Sequence, residues 1–161
     1  MRLVLKYTIG NEYIEVLLGW RNTSLRIYLY SCKNITGDLK KEIEYRGIKP
    51  EDPVSIIPEN IIETPLQLIQ AALAYKIYSS ELERIRNKGL LLAMLATGTS
   101  QISEVVKILG DEVEERKQYY ILGVDCIPQN TSECTPLDYR SVGTGFVKPL
   151  VKNIRFLLTL L

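Results

Sequence analysis

Histidine is absent from this chain of 161 residues. Without imidazole there is no Ser-His or Cys-His nucleophile pair, no His-metal ligand and no His proton shuttle near neutral pH. A hydrolase would have to work through carboxylates or a lysine, so the weight moves toward a binding protein. Cysteine is scarce: Cys32, Cys126 and Cys134, with no CxxC pair. Three scattered thiols make a poor zinc site, and no metal or cofactor is expected. Cys126 and Cys134 are close enough in sequence to bridge, but free intracellular thiols are the expectation. Net charge is nearly absent as well, since 20 Lys and Arg face 19 Asp and Glu. The chain is no polycation, and nucleic-acid binding would need a local patch. No apolar run approaches the roughly 20 residues that cross a bilayer. The opening MRLVLKYTIGNEYIEV lacks the apolar core of a signal peptide. A soluble, cytoplasmic protein without a membrane partner is expected, so the N-x-S/T sequons at Asn22, Asn34 and Asn130 carry no glycosylation expectation.

What is present is an ordinary globular composition, 46% apolar, in a length that suits one domain spanning residues 1–161. Leu3, Leu5, Tyr7 and Ile9 alternate with polar neighbours, and Gly10-Asn11 suits a hairpin turn into a return strand, Tyr13 to Leu18. Leu25, Ile27 and Leu29 alternate in a third strand. Lys33 to Pro58, punctuated by Gly37, Gly47, Pro50, Pro53 and Pro58, reads as loops around short elements, Asp38 to Tyr45 being at best a short helix.

Helical signals begin at Thr64-Pro65-Leu66-Gln67: a capping threonine, proline at the first helical position, and a glutamine placed to reach back. Leu66, Ile69, Leu73 and Ile77 follow at helical spacing. Ser80-Glu81-Leu82-Glu83 resembles a second capping box, which predicts a break near Ser79 and a new helix toward Thr97 with a soft point at Gly89. Gly98 suits a left-handed helix end, and Ser100 a cap for the next helix. Ile102, Val105, Val106 and Leu109 form that helix's stripe, and Gly110 should end it. Asp111 to Gln118 suggests a solvated connection, Tyr119 to Cys126 a buried strand, Ile127 to Pro136 a polar loop, and Phe146 to Leu161 a last helix. The order predicts a mixed α/β (α+β) fold, a single compact domain with helices packed on a small, largely antiparallel sheet.

Chemistry-bearing motifs are few. Gly143 and Gly145 precede Phe146-Val147-Lys148, but there is no GxxxxGK[ST] and no full GxGxxG; a joint is the better reading. Carboxylates are scattered, and none pairs with a nucleophile. From Tyr139 to Leu161 there is no acid, while Lys148, Lys152 and Arg155 share one helix face. The chain ends Phe156-Leu157-Leu158-Thr159-Leu160-Leu161, five large apolar groups that cannot all face one core. Part of that run is expected to meet a partner. Lys76, Arg84, Arg86 and Lys88, with some of the ten tyrosines, form the one candidate patch for single-stranded nucleic acid.

One stretch is specific enough to suggest a family. Leu91-Leu92 leads through Ala96-Thr97-Gly98-Thr99-Ser100 to Gln101-Ile102, then to Val105-Val106-Lys107 and Leu109-Gly110. This is similar to the signature of the small kinase-binding accessory subunit of the KEOPS complex, the PRPK-binding protein family. The lead-in Ile57-Pro58-Glu59, the Pro65–Tyr78 segment and the leucine-rich end match in order. The resemblance spans about Ile56 to Gly110. It implies a non-catalytic subunit, not an enzyme, in a complex that installs threonylcarbamoyl-adenosine in tRNA. It implies binding to the atypical kinase subunit and support of its ATPase activity, with the other KEOPS subunits reached indirectly. The kinase contact maps onto Phe156, Leu157, Leu158, Leu160 and Leu161. The resemblance also implies a role for the helix joint in holding the tRNA CCA end, so Gly98, Ser100 and Gln101 join Lys76, Arg84, Arg86 and Lys88 as RNA-binding candidates. Many archaeal members carry arginine where Ser100 stands, which leaves the charge to neighbouring cations. The alternative is a stand-alone RNA-binding module using the basic and aromatic patch. A carboxylate- or lysine-dependent enzyme has no feature in its favour beyond the presence of Asp, Glu and Lys.

Overall fold

Three antiparallel strands open the fold, β1 (Leu5–Ile9), β2 (Tyr13–Leu18) and β3 (Thr23–Cys32). They follow from the alternation in the sequence, and the Gly10 N–H closes the first hairpin on the Tyr13 carbonyl at 2.8 Å. This computed structural model describes residues 5–10, 12–18, 22–114 and 118–137. The predicted elements at Phe146–Leu161 and the glycines Gly143 and Gly145 lie outside them.

The sheet is antiparallel throughout, in the order β1-β2-β3-β5-β4. Strand β5 (Tyr119–Val124) runs between β3 and β4 (Val54–Pro58). A sixth strand, β6 (Cys134–Pro136), pairs with Tyr30–Cys32 of β3. Those residues already pair with β5, so β6 continues the edge that β2 occupies lower down. Both β4 and β6 fall in stretches that composition marks as loops. Pro53 and Pro58 bracket β4 and disguise it, although all five of its residues are buried. Three residues are too few for β6 to show a period.

Each face of the sheet is covered. Leu25, Ile27, Leu29, Leu122 and Val124 point into one cluster with α2 (Leu66–Tyr78), α3 (Lys88–Thr97) and the buried side of α4 (Ile102–Glu114). Tyr28, Tyr30, Cys32, Tyr119 and Ile121 occupy the other face, with Ile43 of α1 (Leu39–Tyr45) packed against them. The apolar groups of β3 therefore alternate between two cores, and both of its tyrosines, Tyr28 and Tyr30, are core residues.

The helix starts show how well local signals specify ends. Gln67 Oε1 accepts from Glu63 N–H at 2.7 Å and Thr64 N–H at 3.2 Å, the reach-back that the sequence predicts. Its Nε2 donates to the Ala96 carbonyl, which ties the start of α2 to the end of α3. The second start is displaced: Ser79–Arg84 forms turns, and α3 begins only after Asn87, whose Oδ1 accepts from Leu90 N–H at 2.9 Å. Ser80 instead donates to Glu81, so the S-x-x-E spacing there supplies no cap.

Two glycines behave unlike their sequence reading. Gly89 is no soft point: a Cβ there would stand 2.4 Å from the Val54 carbonyl oxygen. It is the place where α3 meets the backbone of β4. Gly110 does not end α4, which continues to Glu114 and buries Val113. The Asp111–Glu114 part of the presumed solvated connection is thus helix. A Cβ at Gly110 would meet nothing within 4 Å. Gly110→Ala is accordingly expected to stabilise the fold by about 0.5–1 kcal/mol through the lower chain entropy and better helix propensity of alanine. A urea midpoint that stays or falls would contradict this.

Cysteine pairing also departs from expectation. Cys32 and Cys134 are directly opposed on β3 and β6 and form a disulfide, while Cys126 is free. The expectation of free thiols is overturned for Cys32 and Cys134 and holds for Cys126 alone, and the one pair that closeness in sequence offered, Cys126 and Cys134, does not bridge. Register, which depends on where β6 pairs, places Cys134 against Cys32, 102 residues away.

Candidate partner surface

The helix joint is built as its residues suggest. Gly98 takes a left-handed conformation, φ 70°, and its N–H returns to the Met94 carbonyl at 2.9 Å. Thr99 N–H reaches the same carbonyl. Helix α4 then starts at Ile102, with the Gln101 carbonyl accepting from Val105 N–H. Ser100 stands one residue too early for the capping position. The two helices meet at 86°. Leu91 to Ala96 are buried, whereas Ser100, Gln101, Ile102 and Ser103 are exposed. A rigid, buried helix thus presents a polar corner to solvent.

Helix α4 exposes more apolar surface than its stripe predicts. Val105, Leu109 and Val113 face inward, but Ile102 and Val106 remain 49% and 47% exposed. Val106 borders a cavity of about 240 Å³ between α1, β4, α3 and α4, lined also by Ile43, Val54, Leu90 and Leu109, with Lys49 on its wall. Apolar periodicity marks all four stripe residues alike. Only the direction of α4 across α3 separates the inward pair from the outward pair.

The RNA-binding candidates divide into two groups. Lys76 near the end of α2, Arg84 and Arg86 in the turn, and Lys88 at the start of α3 gather at one end of the α2–α3 pair. Gly98, Ser100 and Gln101 lie at the other end of α3, about 15 Å away at 1.5 Å per residue. Lys76 is engaged, its Nζ 2.7 Å from Asp125 Oδ2. Lys88 N–H donates to the Pro50 carbonyl at 2.9 Å and its Nζ to the Ile85 carbonyl at 3.3 Å. Among the tyrosines, Tyr28, Tyr30 and Tyr119 are buried, and Tyr75 and Tyr78 pack against the core beside Lys76. The kinase-contact candidates Phe156, Leu157, Leu158, Leu160 and Leu161 lie outside the described residues.

A buried polar cluster went unnoticed in the sequence. Arg46, 1% exposed, donates from Nε to the Tyr119 hydroxyl at 2.8 Å, and that hydroxyl donates to Glu42 Oε2 at 2.5 Å. The other Glu42 oxygen accepts from Ile35 and Thr36 N–H. Arg46 also reaches the carbonyls of Lys33, Asn130 and Ser132. Burial drives the Glu42 carboxyl upward, but its bonds from Tyr119, Thr36 and Ile35 outweigh burial and hold it below the ordinary value. Burial first, then the bond to Glu42, raises the Tyr119 phenol well above its ordinary value despite Arg46. Perturbed groups often mark active sites. This cluster is sealed and fully hydrogen-bonded, which fits a role in tying α1, β5 and two loops together. The Glu42…Arg46 spacing on a short helix gave a faint signal, but its partner Tyr119 is 73 residues further along.

Among the described residues, no group of three His, Cys, Asp or Glu is placed to hold a metal ion. Among them, too, no single helix is long and apolar enough to cross a membrane. In comparisons with known proteins, no family model and no curated protein matches the chain.

Proposed function

We propose that this protein is a non-catalytic accessory subunit of a KEOPS-type tRNA-modifying complex, which binds the atypical kinase subunit in the cytoplasm and supports its ATPase activity. The observation that carries the reading is the Leu90–Gly110 joint. Its sequence resembles the family signature, and its geometry is that of a scaffold: a buried helix, a left-handed Gly98, and an exposed Ser100-Gln101 corner. The absence of histidine and the scatter of carboxylates point the same way. The exposed corner is suited to approaching the CCA end of tRNA, with Arg84, Arg86 and Lys88 at the far end of α3 tracking phosphates. The apolar residues Phe156, Leu157, Leu158, Leu160 and Leu161 form the kinase contact.

Removal of Phe156–Leu161 is expected to weaken binding to the purified kinase subunit by at least about 100-fold, since few apolar anchors carry most of an interface's energy. Calorimetric titration measures it, with the thermal transition of the truncated chain as a control. Unchanged affinity would remove the kinase contact from this segment.

A further inference from the structure

We propose that the Cys32–Cys134 disulfide is a redox latch that locks β6 onto the sheet edge and opens when a cellular dithiol reduces it. Strand β6 has only three residues, and its Thr135 and Pro136 side chains are exposed. Proline at its end has no N–H to donate. Besides the bridge and its own ladder, this segment is held by Lys33 N–H on the Glu133 carbonyl at 3.2 Å, Leu137 N–H on the Leu29 carbonyl at 3.0 Å, Arg46 on the carbonyls of Asn130 and Ser132, Asn130 Nδ2 on the Tyr45 carbonyl at 2.8 Å, and the packing of Cys134 and Leu137 against the cores. Without β6, Tyr30–Cys32 of β3 stay paired with β5, and Thr23–Tyr28 stay paired with β2. The sheet order β1-β2-β3-β5-β4 therefore does not depend on β6.

The two sulfurs differ in access. Cys32 is buried, whereas Cys134 is half-buried. A dithiol's thiolate attacks Cys134 Sγ, forming a mixed disulfide, and Cys32 leaves as a thiolate that takes up a proton. The reductant's second thiol then closes its own disulfide and releases Cys134 as a thiol. Two electrons pass to the bridge, and the reductant leaves oxidised. Cys126 does not compete for Cys134: burial, then Asp52, raises its thiol above the ordinary value, so it stays protonated and weakly nucleophilic.

Leu137 is where the chain leaves this edge toward the sequence that ends in Phe156–Leu161. In the kinase-binding reading, which this consequence alone rests on, opening the latch changes the affinity for the kinase subunit.

The full chain, oxidised or treated with dithiothreitol, is compared by hydrogen exchange, with Cys126→Ser as background and Cys32→Ser/Cys134→Ser as the open reference. Blocking thiols in the denatured, unreduced chain that keeps Cys126 should label one cysteine of three. On reduction, Lys33 and Leu137 amides should come within about tenfold of unprotected rates, while Tyr30, facing β5, and Leu122, facing β4, stay protected at least about a hundredfold. Three labelled cysteines, or Lys33 and Leu137 as protected as Leu122 after reduction, would overturn the latch. A tenfold or greater change in kinase affinity on reduction would support the coupling. An open β6 with unchanged affinity would overturn the coupling and leave the latch standing.

Discussion

Replacing Arg46 with alanine should cost about 3–5 kcal/mol of folding stability, because four acceptors lose a buried donor and each such loss costs about 1–3 kcal/mol. For a chain of this size that is a fall in Tm of about 10 °C. The cause is what the substitution leaves behind. Tyr119 loses a donor, the carbonyls of Lys33, Asn130 and Ser132 lose theirs, and the Tyr119–Glu42 hydrogen bond loses the guanidinium behind it. Tyr119→Phe breaks only the relay and should cost less, about 1–3 kcal/mol. Urea denaturation measures both, and an Arg46→Ala loss under about 1 kcal/mol would mean that the cluster is not a stabilising tie.

The cluster also sets two pH limits. The folded Glu42 carboxyl sits below its unfolded value of about 4.3. Its contribution is therefore present above that pH and is lost as pH falls through the folded value. The Tyr119 phenol lies above its unfolded value of about 10, so its contribution is present below pH 10 and is lost as pH rises past it. Glu42→Gln should flatten the acid limb of stability against pH, at a lower plateau near neutrality.

Gly89→Ala is expected to destabilise by about 3 kcal/mol or more, at the upper end of overpacking costs. The added methyl would meet the Val54 carbonyl oxygen at 2.4 Å and its carbon at 3.4 Å, both backbone atoms. No rotamer change relieves a clash with backbone, so α3 would have to move away from β4. That motion would break the Lys88 N–H bond to Pro50 and shift the Gly98 joint at the far end of the helix. The same substitution at Gly110 should act with the opposite sign. Chemical denaturation of the two variants side by side tests the packing directly, since helix propensity alone predicts stabilisation at both.

That contrast shows where sequence reasoning stops. Both glycines lie in helices and look alike in one dimension; only the strand beneath Gly89 distinguishes them. Ile102 and Val106 were similarly indistinguishable from Val105 and Leu109, because a stripe records amphipathicity and not which side of the helix a neighbour covers. The candidate cations were legible as residues. That Lys76 is paired with Asp125, and that the others stand a helix length from Ser100 and Gln101, depended on how α2 and α3 pair.

By itself, the sequence determined what short-range physics controls. The alternation of Leu25, Ile27 and Leu29 set β3, Gln67 and Gly98 set helix ends, and the missing histidine removed whole classes of chemistry. Contacts distant in sequence were decided by the tertiary structure. Strand β4 was hidden between prolines and became recognisable only when paired with β5. Cys32 found Cys134 through the register of β6, and Arg46 found Tyr119 across the second core. Each of these joins residues at least 61 positions apart, and no local propensity encodes such a partner.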